Sequence, residues 1–124
     1  MPQAVRALRG ATTIDEDTPE QIHARVGALV GELFRANDVA PEDVISILFS
    51  ATGDIHSAWP AAAARDQFDL ADVPLMHALE LDIVGALPRC IRVMMTLRTE
   101  RAPRELHHVY QEGAVVLRPD LRSR

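Results

Sequence analysis

From Thr18 to Asn37, Ile22, Val26, Leu29, Val30, Leu33 and Phe34 recur at helical spacing, and this single long amphipathic run constrains the fold more than any other feature. Thr18 supplies a capping hydroxyl, Pro19 suits the first helical position, and Gln21 stands where a capping box places its glutamine. Asn37-Asp38 ends the helix. One stripe of apolar residues covers one face of one sheet. The other face of that sheet must then meet solvent or another subunit, and apolar strands favour the subunit.

The remaining apolar runs read as strands. Ala4 to Thr13 alternates loosely, with Gly10 marking a bulge or a close backbone approach, and an uninterrupted strand would put Arg6 and Arg9 on opposite faces. Val44 to Phe49 is a nearly unbroken apolar run expected in the sheet interior, closed by the polar loop Ser50 to Asp54. Trp59-Pro60 followed by Ala61 to Arg65 predicts a short helix. Val73 to Met76 reads as a brief extended piece, and His77 to Glu80 leads into a loop punctuated by Gly85 and Pro88. Arg89 to Arg98 is a long strand, Arg101 to Arg104 starts a helical turn, and His107 to Tyr110 and Ala114 to Leu117 are expected as strands around Gly113. With one long helix and about five strands that do not alternate with helices, the expected class is α+β: a mixed five-stranded sheet covered on one face.

At 124 residues the chain is expected to form one domain over 1–124, with about 119–124 as a short tail. A net charge of -5 argues against a nucleic-acid binder, which needs a concentrated basic surface. Cys90 is the sole cysteine, so neither an intrachain disulfide framework nor a thiolate metal cluster is available. No apolar run approaches the ~18–20 residues of a membrane span, and the N-terminus lacks a basic-then-apolar leader, so the expected compartment is the cytoplasm.

Chemistry has to come from polar groups set among apolar neighbours: Arg9, Arg65, His77, Glu80, Arg92, Tyr110 and Arg118. Arg92 is the most demanding, because it sits inside Cys90-Ile91-Arg92-Val93-Met94-Met95-Thr96 and a guanidinium keeps its charge at any accessible pH. Burying it without an anion costs several kcal/mol. Either a carboxylate of the protein neutralises it, or an anionic ligand does. With Glu80 the only acid expected nearby, the surplus of arginines points to a dianionic small molecule. No Gly-x-Ser-x-Gly elbow, glycine-rich phosphate loop or His-Glu-x-x-His set is present. Asp54 and His56 read as loop capping rather than a catalytic pair. The adjacent His107 and His108 would point to opposite faces of a strand, which suits a metal poorly, and Cys90 reads as a small core residue.

Four blocks are together diagnostic: Arg9-Gly10-Ala11-Thr12-Thr13, Ser50-Ala51-Thr52-Gly53-Asp54-Ile55-His56, Cys90 to Thr96, and His108-Val109-Tyr110 with Val115 to Leu121. In this order, and without evident gaps from about Arg6 to Leu121, the chain resembles the monofunctional chorismate mutases of the AroH type. The resemblance implies a homotrimer whose three sheets form a pseudo-α/β barrel, with active sites in the clefts between subunits. It implies the Claisen rearrangement of chorismate to prephenate, a step towards phenylalanine and tyrosine that needs no nucleophile, metal or cofactor. By the same resemblance Arg92 supplies the cation at the ether oxygen, Arg9 and Tyr110 bind the enolpyruvyl carboxylate with it, and Glu80 accepts the substrate hydroxyl. Trp59, Ala61, Arg65, Leu75, Met76 and His77 wall the pocket from across the interface, Leu117 closes the near side, and Arg118 with the tail forms a cover.

Two positions depart from the family pattern: Trp59 stands where a phenylalanine is expected, and His77 where a cysteine is. A histidine there could donate to the substrate or to Glu80, and it would make turnover vary with pH between about 5.5 and 7.5. Two other readings fit a pocketed trimer, an imine-hydrolysing relative of similar architecture and a binding protein without catalysis. The four blocks, and the joint presence of Arg9, Glu80, Arg92 and Tyr110, weigh against both.

Overall fold

The structure, a computed structural model, describes residues 3–117. Its elements run β1 (Ala4–Thr13), α1 (Pro19–Asn37), β2 (Val44–Ala51), α2 (Pro60–Gln67), β3 (Leu75–Leu79), β4 (Cys90–Thr99) and β5 (Val109–Tyr110), with 3-10 turns at Pro41–Asp43, Pro103–Glu105 and Glu112–Leu117. The strands form one five-stranded sheet in the order β3-β2-β4-β1-β5. The β1–β4 and β4–β2 pairs are antiparallel, whereas β2–β3 and β1–β5 are parallel. The mixed α+β sheet expected from the sequence is therefore present.

The helix forms as its spacing dictates. Ile22, Val26, Leu29, Val30 and Leu33 are each fully buried on the sheet, and the Thr18 hydroxyl accepts the Gln21 N–H at 3.2 Å. The capping box is only half made, because the side-chain Oε1 of Gln21 accepts the N–H groups of Asp15 and Glu16 rather than returning to the Thr18 N–H. The chain leaves α1 through Asp38 in the left-handed region, φ 52°. α2 joins α1 on the same side, with Phe34 and Phe68 edge to face at 5.3 Å between ring centres.

Register shows which residues face the helices. Leu8, Met95 and Ile47 align across β1, β4 and β2, as do Gly10, Val93 and Phe49, and these rows form the core with α1. Gly10 marks a close approach and no bulge, since β1 pairs with β4 without interruption and a Cβ at Gly10 would lie 3.0 Å from Leu29 Cδ1 and 3.1 Å from the Val109 carbonyl. The alternate row faces away from the helices: Arg9 with Met94 and Leu48, then Ala11 with Arg92 and Ser50. Arg6, aligned with Leu97, thus faces opposite to Arg9. The uncovered face carries Val5, Leu48, Met76 and Met94 at 58, 41, 67 and 41% exposure, an apolar patch that is unusual for a face meeting water.

Four sequence expectations fail here. Ala114 to Leu117 is no strand but part of the 3-10 turn Glu112–Leu117. Glu112 enters the left-handed region at φ 52°, the Thr13 hydroxyl accepts the Gly113 N–H at 2.9 Å, and Ala114 bonds back to the Gln111 carbonyl. These local bonds satisfy the backbone without a sheet partner. The strand that completes the sheet lies instead at Leu75–Leu79, where the sequence suggested only a brief extended piece up to Met76. Likewise, β2 runs on through Ser50 and Ala51, and β5 begins only at Val109. His107 hands its N–H and carbonyl to the Asn37 side chain, and His108 Nδ1 accepts the Arg9 N–H at 2.9 Å.

Candidate active site

Two groups of candidate residues occupy two places on the chain. The first lies on the uncovered face. Arg92 projects there from β4 and Ser50 from β2, aligned in register, and Tyr110 of β5 aligns with Ala11 in the same row. Arg9, Ser50, Arg92 and Tyr110, with Leu48 and Met94, line a hollow of about 210 Å³. Glu80 follows β3, fixed by its N–H to the Ala51 carbonyl at 2.9 Å. Its carboxylate accepts the Ser50 hydroxyl and pairs with Arg92, Nε to Oε1 at 3.3 Å. The carboxylate partner asked of Arg92 is thus present, and the side chains remain 44% and 21% exposed. Pairing through Nε leaves the four N–H groups of the terminal nitrogens as donors for a ligand. Tyr110 and Leu117 both pack on the small buried cluster Ala11, Cys90 and Ala114, which seats the far wall. Burial pushes the Cys90 thiol pKa up, as fits a core residue.

The second group gathers at the outer edge of the sheet, around β3 and the start of α2. Leu75 and His77 align with Ile47 and Phe49 and so face the helices, whereas Met76 aligns with Leu48 on the uncovered face. Trp59, Pro60 and His77 line a separate hollow of about 440 Å³ with Ile55, Ser57 and Leu79. Trp59 is 69% exposed, Ala61 is buried, and Arg65 is exposed on the last turn of α2. The ring of His77 lies 5.2 Å from Trp59 and 6.0 Å from Phe49, and Nε2 accepts the Ala61 N–H at 3.0 Å. His77 is therefore engaged with α2, while Glu80 is engaged with Ser50 and Arg92. Desolvation, with the Arg65 charge adding to it, lowers the His77 pKa from the ordinary histidine value of 6.5. Arg118 lies outside the described residues.

Two contributors were missed in the sequence. Ser50, assigned to a loop, is the residue of β2 that faces Arg92; the strand alternation Ser46, Leu48, Ser50 carried that signal. Asp17 receives the His56 and Ser57 N–H groups and the Ser57 hydroxyl, 2.7, 3.1 and 2.7 Å away, and so braces the loop leading to Trp59. The Ser57 hydrogen bond, aided by those of the backbone, holds the Asp17 carboxyl below the usual carboxylate range. Asp54 serves its loop as expected, accepting the Arg89 N–H at 3.0 and 3.2 Å. Among the described residues there is no group of three or more His, Cys, Asp or Glu placed to hold a metal ion, and no helix is long and apolar enough to cross a membrane.

The chain is similar to known proteins over nearly its whole length. The family model of chorismate mutase type I matches residues 5–121. Chorismate mutase AroH of Bacillus subtilis (strain 168) is 44% identical over 117 residues, covering 94% of this chain and 92% of that protein. Chorismate mutase AroH of Thermus thermophilus is 43% identical over 120 residues, covering 96% and 98%. The solved structure of a chorismate mutase from Clostridium thermocellum superposes with a TM-score of 0.86 at 40% identity, covering 90% of this chain and 98% of that one. Matched over nearly its whole length in family model, sequence and fold, the chain belongs to the type I chorismate mutases.

Proposed function

We propose that this protein rearranges chorismate to prephenate by holding the substrate folded and presenting a fixed cation to its ether oxygen. The observation that carries the reading is Arg92 on a central strand, paired through Nε with Glu80 and flanked by Arg9 and Tyr110 in one hollow. The reaction is pericyclic: the ether C–O bond breaks as a C–C bond forms, and no proton changes place. What a protein contributes is orientation of the enolpyruvyl arm over the ring and stabilisation of charge in the transition state. As the C–O bond lengthens, negative charge gathers on the oxygen and the ring fragment becomes electron-poor. A guanidinium already aimed at the oxygen stabilises the transition state more than the ground state. Arg9 and Tyr110 take the enolpyruvyl carboxylate with Arg92, and Glu80 accepts the ring hydroxyl and faces the electron-poor fragment.

The complete pocket forms in a homotrimer with pseudo-α/β-barrel sheets, the second wall coming from a neighbouring subunit. Support comes from the apolar uncovered face and from the separation of the two residue groups within one chain. Trp59, Ala61, Arg65, Leu75 and Met76 of a neighbour would wall the hollow of Arg92, with Leu117 on the near side and Arg118 as part of a cover. The test is to mix purified protein with chorismate, follow the loss of chorismate absorbance, and identify prephenate. Prephenate formation with saturation kinetics is expected. Binding of a bicyclic transition-state mimic without turnover would support a non-catalytic pocket instead.

A further inference from the structure

The start of α2 lacks a local cap. Trp59 occupies the N-cap position with no side-chain hydrogen bond, and Pro60 has no N–H, so the first N–H needing an acceptor is that of Ala61. The acceptor comes from another element, His77 Nε2 on β3, at 3.0 Å. The same imidazole lies against the Trp59 ring, 5.2 Å between centres at 47°. One side chain thus fixes both the backbone and the indole of the corner Trp59-Pro60-Ala61. An accepting Nε2 is unprotonated, so the neutral ring carries its proton on Nδ1. Protonating Nε2 would remove the lone pair and set an N–H against the Ala61 N–H, at the positive end of a helix dipole.

We propose that His77 is a positioning residue, which holds the Trp59–Ala61 wall of the pocket through its bond to Ala61 and releases that wall when it takes up a proton. The proposal rests on the reading of Trp59 and Ala61 as pocket wall. It assigns His77 a task other than donating to the substrate or to Glu80. Among the described residues, Arg65 of α2 is the charged group acting on His77, His56 of the loop before Trp59 is a second titratable group lining the same hollow, and Phe49 of β2 and Trp59 bring none. Burial and Arg65 both disfavour the imidazolium, which keeps the bond closed at neutral pH.

Trp59 is the only tryptophan of the chain, so its fluorescence reports this corner directly and without substrate. In the wild type the emission should change in one titration below pH 6.5, at constant far-UV circular dichroism, and the change should vanish in His77→Gln and His77→Leu. In steady-state kinetics His77→Leu should raise KM about five- to tenfold, the size expected for loss of a cap, with little change in kcat. His77→Gln, whose carbonyl can accept from Ala61, should recover most of that loss and show no acid limb in kcat/KM. The inference is overturned by a fluorescence titration that persists without His77, by a flat one in the wild type, by failure of glutamine to rescue, or by a fall in kcat with KM unchanged. Should the wild type show the titration but no conversion of chorismate, the functional reading fails while the His77–Ala61 bond stands.

Discussion

The guanidinium of Arg92 is poised by two neighbours that act in series. Ser50 donates to Glu80, and Glu80 pairs with Arg92 at 3.3 Å, so the carboxylate is held on one side of the cation. Replacing Ser50 with alanine removes a hydrogen bond to a charged group, worth about 1.5–3 kcal/mol at most and less at this partly exposed site. Ser50→Ala should therefore lower kcat/KM severalfold without unfolding the protein, measured by steady-state kinetics beside a denaturant titration. His77 makes a second prediction, on stability. Its pKa is depressed in the folded state, so the unfolded chain binds the proton more readily as pH falls. The stabilisation is complete above pH 6.5 and is lost progressively below it; the wild-type denaturation midpoint should fall there faster than that of His77→Gln. Arg92 was legible in the sequence because a charge inside an apolar strand needs a partner. The task of His77 was not, since its acceptor role depends on Ala61, sixteen residues away on another element.

Elements were legible where periodicity is long and absent where the backbone is satisfied locally. The stripe of α1 spans five turns of residues, each buried where the spacing puts it, whereas the turn Glu112–Leu117 contains the β-branched Val115 and Val116 and still leaves the sheet. Its conformation is decided by Thr13 accepting from Gly113, a contact one hundred residues apart that no local pattern encodes. Conversely β3 is short and bordered by Pro74, and it gains its ladder only because β2 lies beside it. The tightest junction between elements is Gly10 under α1. Gly10→Ala would press a methyl onto Leu29 Cδ1 and the Val109 carbonyl, and should cost about 1–3 kcal/mol. Leu29→Ala, at a fully buried position, should cost about 2–5 kcal/mol. Both are read from urea midpoints, and a neutral Gly10→Ala would show that the strand and helix can separate freely.

For the whole molecule, one sheet face lies under α1 and α2 while the other exposes Leu48, Met76 and Met94 beside the hollow of Arg92. On the trimeric reading that face is where subunits meet, and a charge placed on it should separate them. Met94→Glu should shift the light-scattering mass from three chains to one and abolish turnover; a trimer that persisted with full activity would contradict the assigned interface. A shared pocket also predicts complementation. Arg92→Ala and Arg65→Glu impair opposite walls, so trimers refolded from an equal mixture should regain about one quarter of wild-type activity, because one site in four then draws both walls intact. That surface could be anticipated from a single amphipathic helix, which covers one face only. The geometry joining subunits could not, as no residue pattern within one chain states the partner's position.

On the proposed mechanism, Arg92 stabilises charge which appears only as the ether bond breaks. Exchanging Arg92 for citrulline keeps length and shape and removes the charge. A fall in kcat corresponding to about 3–4 kcal/mol or more is expected, with KM changed far less. Near-normal kcat in the citrulline protein, or a loss confined to KM, would contradict it.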